Sequence, residues 1–123
     1  MATQTDLWGD LAPAEVRTPL SIMREQAALL GTKTQNLVEA VVSTVVVGEE
    51  FTHYFNLVVP ALSNYAYQLF VVSHRIDLYP LTVRNPEFRQ LENEHEFVEW
   101  LGRTLSSIET RKIISNLLAQ VKS

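Results

Sequence analysis

Residues 51–74 read FTHYFNLVVPALSNYAYQLFVVSH, 24 positions without one Asp, Glu, Lys or Arg in a chain that is 20% charged overall. A helix of about 20 apolar residues crosses a bilayer, so length alone permits a membrane span. The order of the residues opposes it. Phe51, His53, Phe55, Leu57 and Val59 alternate with Thr52, Tyr54, Asn56 and Val58, a period of two that belongs to a strand. Pro60, Ser63 and Asn64 then break the run, with a fixed φ, a missing donor and side chains that compete for backbone hydrogen bonds. Two strands alone in hydrocarbon would leave their edge N–H and C=O groups unsatisfied. The stretch is therefore expected to form two strands of a sheet outside any membrane.

The flanking sequence extends this sheet. Residues 37–47, LVEAVVSTVVV, are β-branched, with Val38, Ala40, Val42, Thr44 and Val46 on one face and Glu39 and Ser43 interrupting the other. Gly48-Glu49-Glu50 supplies a hairpin turn into the second strand. Residues 65–75 form a third strand, apolar on both faces for much of its length, which predicts a central position. A fourth strand is read at 78–84, at a sheet edge because Pro80 cannot donate to a ladder, with Asn85-Pro86 ending it.

Helices bracket the strands. Thr18 as N-cap and Pro19 at the first helical position open a helix over 19–30, with Gly31 as its stop. In the C-terminal third, Asn93 with Glu96 and Ser106 with Glu109 resemble capping boxes. Phe97, Trp100, Leu101, Thr104 and Leu105 line one helical face, and Ile114, Leu117, Leu118 and Val121 line another. Two helices with a break near Ser106-Ser107 fit, as does one long bent helix. The expected fold is a single α+β domain over 1–123: an N-terminal helix, a four-stranded antiparallel meander, and two C-terminal helices packed on the sheet. Residues 1–12 are expected to be loosely ordered, with Trp8 docked on the body or, alternatively, exposed as a contact.

Composition removes several kinds of chemistry. There is no cysteine, which rules out disulfides, thiolate metal sites and thiol catalysis. Net charge is −4 and the arginines are scattered, so no basic stripe marks a nucleic-acid binder. The four glycines form no phosphate-cradling loop, and no nucleophile elbow occurs. No basic and apolar leader opens the sequence, which predicts a cytoplasmic address. No cofactor and no metal are expected.

Two sets of residues remain. Trp8, Tyr54, Tyr65, Tyr67 and Tyr79 are candidates for contact with another protein, because aromatic side chains with a polar tip suit interfaces; cross-strand pairing within the sheet is the plainer account of the tyrosines. His53, His74, Arg75 and Asp77 are the alternative, as polar lining of a pocket, although His74 and Arg75 are adjacent on a strand and so face opposite sides. His95 between Glu94 and Glu96 lacks the i, i+4 spacing of a metal motif.

The third strand, apolar on both faces, also implies that the sheet needs cover on both sides. The C-terminal helices can cover one face, and the first helix, about 18 Å long, only part of the other. The expected function is that of a non-catalytic interaction or assembly module, with an apolar sheet face buried by a second copy or a different protein. A small-ligand-binding domain or enzyme whose pocket is lined by the sheet, His53, His74 and the tyrosines is the alternative.

Overall fold

The computed structural model describes residues 5–11 and 16–123. Their elements run α1 (Pro19–Lys33), β1 (Glu39–Val47), β2 (Glu50–Val59), a 3-10 turn (Pro60–Leu62), β3 (Tyr65–His74), β4 (Leu81–Asn85), β5 (Arg89–Leu91), α2 (Glu94–Leu105) and α3 (Ile108–Val121). The strands form one antiparallel meander in the order β1-β2-β3-β4-β5. The fold is α+β with helices before and after the sheet, as expected, and β3 is the central strand.

The sheet has five strands, not four. The fifth, Arg-Gln-Leu, is too short and too polar to show a period. Its pairing also corrects the position of β4, which bonds to β3 on one side and β5 on the other and is no edge strand. Pro80 precedes Leu81, so its missing N–H falls outside the ladder. The cis peptides Tyr79-Pro80 and Asn85-Pro86 flank β4.

Local capping sets the helix ends. Thr18 accepts from Ser21 N–H while the Ser21 hydroxyl accepts from Thr18 N–H, both at 3.1 Å, a reciprocal capping box. Gly31 does not stop α1: it lies buried inside the helix, which runs on to Lys33 before Thr34 caps it. A Cβ at Gly31 would meet Asn36 Oδ1 at 3.1 Å, so the glycine serves close approach of the following turn. Asn93 caps α2 through Glu96 N–H at 2.9 Å. The C-terminal region is two helices, and Ser107 rather than Ser106 caps the second, accepting from Thr110 N–H at 3.1 Å. Ser106 closes α2 instead, donating to the Gly102 carbonyl.

The core lies on one side of the sheet. Phe55, Leu57 and Val59 of β2, Phe70 and Val72 of β3, Leu81 and Val83 of β4 and Leu91 of β5 all pack against Ile22 and Met23 of α1 and Phe97, Trp100 and Leu101 of α2. All three helices contribute to this one cluster, so α1 shares the covered face with α2 and α3 and does not cover the reverse. The reverse face is open. It carries Ser43, Thr52, Asn56, Gln68 and Thr82 between Val41, Val45, Tyr54 and Val58, with Val71 and Ser73 buried at its centre, and no second layer covers it among the described residues.

The two-sided look of β3 comes in part from a change of register. Phe55 pairs with Phe70 and Asn56 with Gln68, which leaves Leu69 as an extra residue in a β-bulge. Before the bulge Tyr65 and Tyr67 share the face of Val59 and Leu57; after it Phe70, Val72 and His74 share the face of Phe55, His53 and Phe51. The face that meets the core changes parity along the strand, and past the bulge Val71 and Ser73 on the reverse face are buried as well, at 7% and 2% exposed.

Phe70 anchors this arrangement, stacked on Phe55 at 4.8 Å and met edge-on by Trp100 at 5.1 Å. Phe70→Ala should lower the unfolding free energy by about 3–5 kcal/mol, whereas Val45→Thr on the open face should change it by no more than about 0.5 kcal/mol. Urea unfolding of both variants checks the contrast, and equal losses would mean that the open face is packed in solution.

Candidate functional site

The two histidines expected to line a pocket meet inside the fold. His53 sits on β2 opposite Thr44 of β1, and His74 on β3 is its diagonal neighbour, because Phe51 rather than His53 pairs with it directly. Both rings are buried, with 2% and 8% of their surface exposed. His53 Nε2 lies 2.7 Å from His74 Nε2, Thr44 Oγ1 lies 2.8 Å from His53 Nδ1, and His74 Nδ1 lies 2.7 Å from the Arg75 carbonyl.

The donor directions follow from the last contact. A carbonyl oxygen only accepts, so His74 Nδ1–H donates to it, and the neutral ring then accepts at Nε2. His53 Nε2–H therefore donates to His74, and its Nδ1 accepts from the Thr44 hydroxyl. Every ring nitrogen of the pair is engaged within the chain, and Phe51 stacks on His74 at 5.5 Å. The arrangement is an internal relay with no ring nitrogen turned toward a substrate.

Beside it lies a recess of about 250 Å³ lined in part by Glu50, His74, Arg75, Asp77, Tyr79 and Arg84; His53 is not among its lining residues. Its cations are occupied. Arg84 donates to Glu50 at 2.7 Å and to the Ser73 hydroxyl at 2.9 Å, and Arg75 pairs with Glu49. Ser73 and Arg84 hold the Glu50 carboxyl below its ordinary range. The Tyr79 hydroxyl is buried with no hydrogen-bond partner among the described residues, and burial pushes its pKa up to about 12. Among the described residues no cluster of three or more His, Asp or Glu could hold a metal ion.

The larger cavity was not legible in the sequence. It is a groove of about 540 Å³ between α1 on one side and α2 and α3 on the other. Its floor is the sheet, through Phe55, Leu57 and the bulge residue Leu69. Ile22, Leu29 and Leu30 form one wall, Val98, Leu101, Leu105 and Ile114 the other. Leu29 and Val98 are 50% and 44% exposed at its lip. The charged residues lining it are Arg17, Lys33 and Arg111, all cationic, in a chain with 14 acidic against 10 basic residues. Arg17 is shared with Glu25 at 2.8 Å and Glu94 at 3.8 Å, while Lys33 and Arg111 make no ion pair among the described residues.

The aromatic candidates do not gather into one surface. Tyr65 and Tyr67 share a face and are 47% and 37% exposed at one end of the sheet. Tyr54 points to the open face, opposite Ser43 and Val71, and Tyr79 packs against the core. Trp8 is 80% exposed and is not docked on the body. None of these five, and neither histidine, lines the groove. Comparison of the chain with protein-family models, with curated proteins and with solved structures found no match. Among the described residues no helix is long and apolar enough to cross a membrane.

Burial, the neighbouring His74 and Arg24 together lower the His53 pKa from 6.5 to about 4. Between these values the unfolded chain holds a proton on His53 that the folded chain refuses, so stability rises with pH across the window and is lost as pH falls. The loss attributable to His53 from pH 6.5 down to about 4 should reach about 3 kcal/mol. Carboxylates titrate in the same range, so the measurement is the difference between the wild type and His53→Asn in urea unfolding at several pH values. An unchanged slope in the variant would show that His53 takes no part.

Proposed function

We propose that the protein is a non-catalytic interaction module that holds an apolar, acidic-flanked segment of a protein in the groove between α1 and the α2–α3 pair. The observation that carries this reading is the lining of that groove: aliphatic walls over an aromatic and aliphatic floor, edged by Arg17, Lys33 and Arg111 with no carboxylate among the lining residues. Hydrophobic burial supplies the affinity, at about 25 cal/mol per Å² of apolar surface removed from water. The cations supply selection and steering, since a protein of net charge −4 otherwise repels acidic partners.

A volume of about 540 Å³ also lies within the range that holds small ligands. Such sites fix their ligand with convergent polar groups. Here Gln26, Ser106 and Thr110 are the uncharged polar residues of the lining, and the Thr110 hydroxyl is already committed to the Thr104 carbonyl at 2.7 Å. The side chains favour an occupant recognised by apolar shape and negative ends. Association through the open sheet face is the weaker alternative, because its valines are separated by Ser43, Asn56 and Gln68.

A fluorescent peptide of unrelated sequence, with Leu and Trp at its centre and Asp at both ends, should bind the wild-type chain, and more weakly as salt is raised. The double variant Lys33→Glu, Arg111→Glu should lose at least about tenfold in affinity while its urea stability changes by no more than about 0.5 kcal/mol. Fluorescence anisotropy reads both. Binding unaffected by the double variant, or no binding at all, would remove the groove from the reading.

A further inference from the structure

Residues 5–11 read TDLWGDL. Leu7, Trp8 and Leu11 are 90%, 80% and 76% exposed, the largest apolar side chains that the chain leaves in water on one short segment. Asp6 and Asp10 interleave with them. The segment is already shaped: Trp8 N–H donates to Asp6 Oδ1 at 2.9 Å, and Gly9 turns the chain at φ +71°. A turn held in this way loses less entropy on docking than a free strand.

We propose that this segment of one copy docks in the groove of a second copy, so that the protein is a reciprocal dimer. The inference rests on the reading of the groove given above. It adds the occupant, because apolar residues with interleaved carboxylates are the chemical complement of apolar walls edged by Arg17, Lys33 and Arg111. One chain presents both halves of the contact, and Leu7, Trp8 and Leu11 stay 76–90% exposed on their own chain. A two-fold pair joins each segment to a groove and closes with no contact left over. Trp8 is the anchor, since a buried Trp is the side chain most enriched among residues that dominate interfaces.

Sedimentation equilibrium of the full chain tests this. The wild type is expected to be a dimer. Trp8→Ala, which keeps the groove, and Lys33→Glu with Arg111→Glu, which keeps the segment, should each weaken self-association by about thirtyfold or more. Mixing the two variants should restore a heterodimer through one intact junction. A wild type that stays monomeric, or a Trp8→Ala chain that stays dimeric, overturns the proposal. The synthetic peptide TDLWGDL titrated into Trp8→Ala, beside an unrelated acidic-apolar peptide, separates the two levels of failure. If only the unrelated peptide binds, the groove reading stands and the second-copy occupant is wrong. If neither binds, both are wrong.

Discussion

One extra residue in β3 sets the geometry on which the rest of the structure depends. Without the bulge at Leu69, the register that pairs Val59 with Tyr65 would continue unbroken, and Phe70, Val72 and His74 would turn to the open face. With it, Phe70 reaches Phe55 and Trp100, and the sheet is fixed to α2. The same change of parity brings His74 within 2.7 Å of His53. Leu69 itself, left without a cross-strand partner, becomes part of the groove floor. Core, histidine relay and groove are three consequences of a single local irregularity.

The groove also follows from widths. α1 lies against β1 and α2 against β5, the two outer strands. Strands are spaced about 4.8 Å apart, so β1 and β5 are separated by about 19 Å, whereas packed helices prefer about 8–10 Å between axes. Two helices placed over the outer strands cannot also close over the middle ones. They meet at their N-terminal ends, where Arg17 reaches Glu94 at 3.8 Å, and α3 contributes Leu117 to the core without filling the space above Phe55 and Leu57.

Much of this fold is legible in the sequence because much of it is local. The caps at Thr18 and Asn93, the alternation of β2, the hairpin at Gly48 and the break after Leu105 are each decided by residues within a turn of one another. What escapes is set by distant parts of the chain. The three residues of β5 carry no period of their own and are held by β4. The side of the sheet chosen by α1 depends on packing with α2, not on the amphipathic pattern of either helix. The run of Leu69, Phe70, Val71 and Val72 does hold a signal, since four apolar residues in a row are either a strand buried on both faces or one whose face switches. Both hold here: the bulge switches the face that meets the core, and past it Val71 and Ser73 are buried on the reverse face as well.

That distinction changes where an interaction surface is to be sought. The reverse of the sheet buries Val71 and Ser73 with no partner chain, and with Ser43, Asn56 and Gln68 among its valines it makes little demand for one. Besides scattered side chains such as Val45, Val47, Ile76, Phe88 and Ile108, apolar surface lacks cover on the helical side and on the segment before α1: Leu29 and Val98 at the lip of the groove, Leu7, Trp8 and Leu11 ahead of it. Their charges are opposite in sign, Lys33 and Arg111 against Asp6 and Asp10. In a chain of net charge −4, cations gathered around one apolar cleft and carboxylates interleaved on one apolar segment sort the molecule into two complementary pieces. Non-directional burial would let either piece stick to many surfaces; the charge pattern is what makes their mutual contact selective.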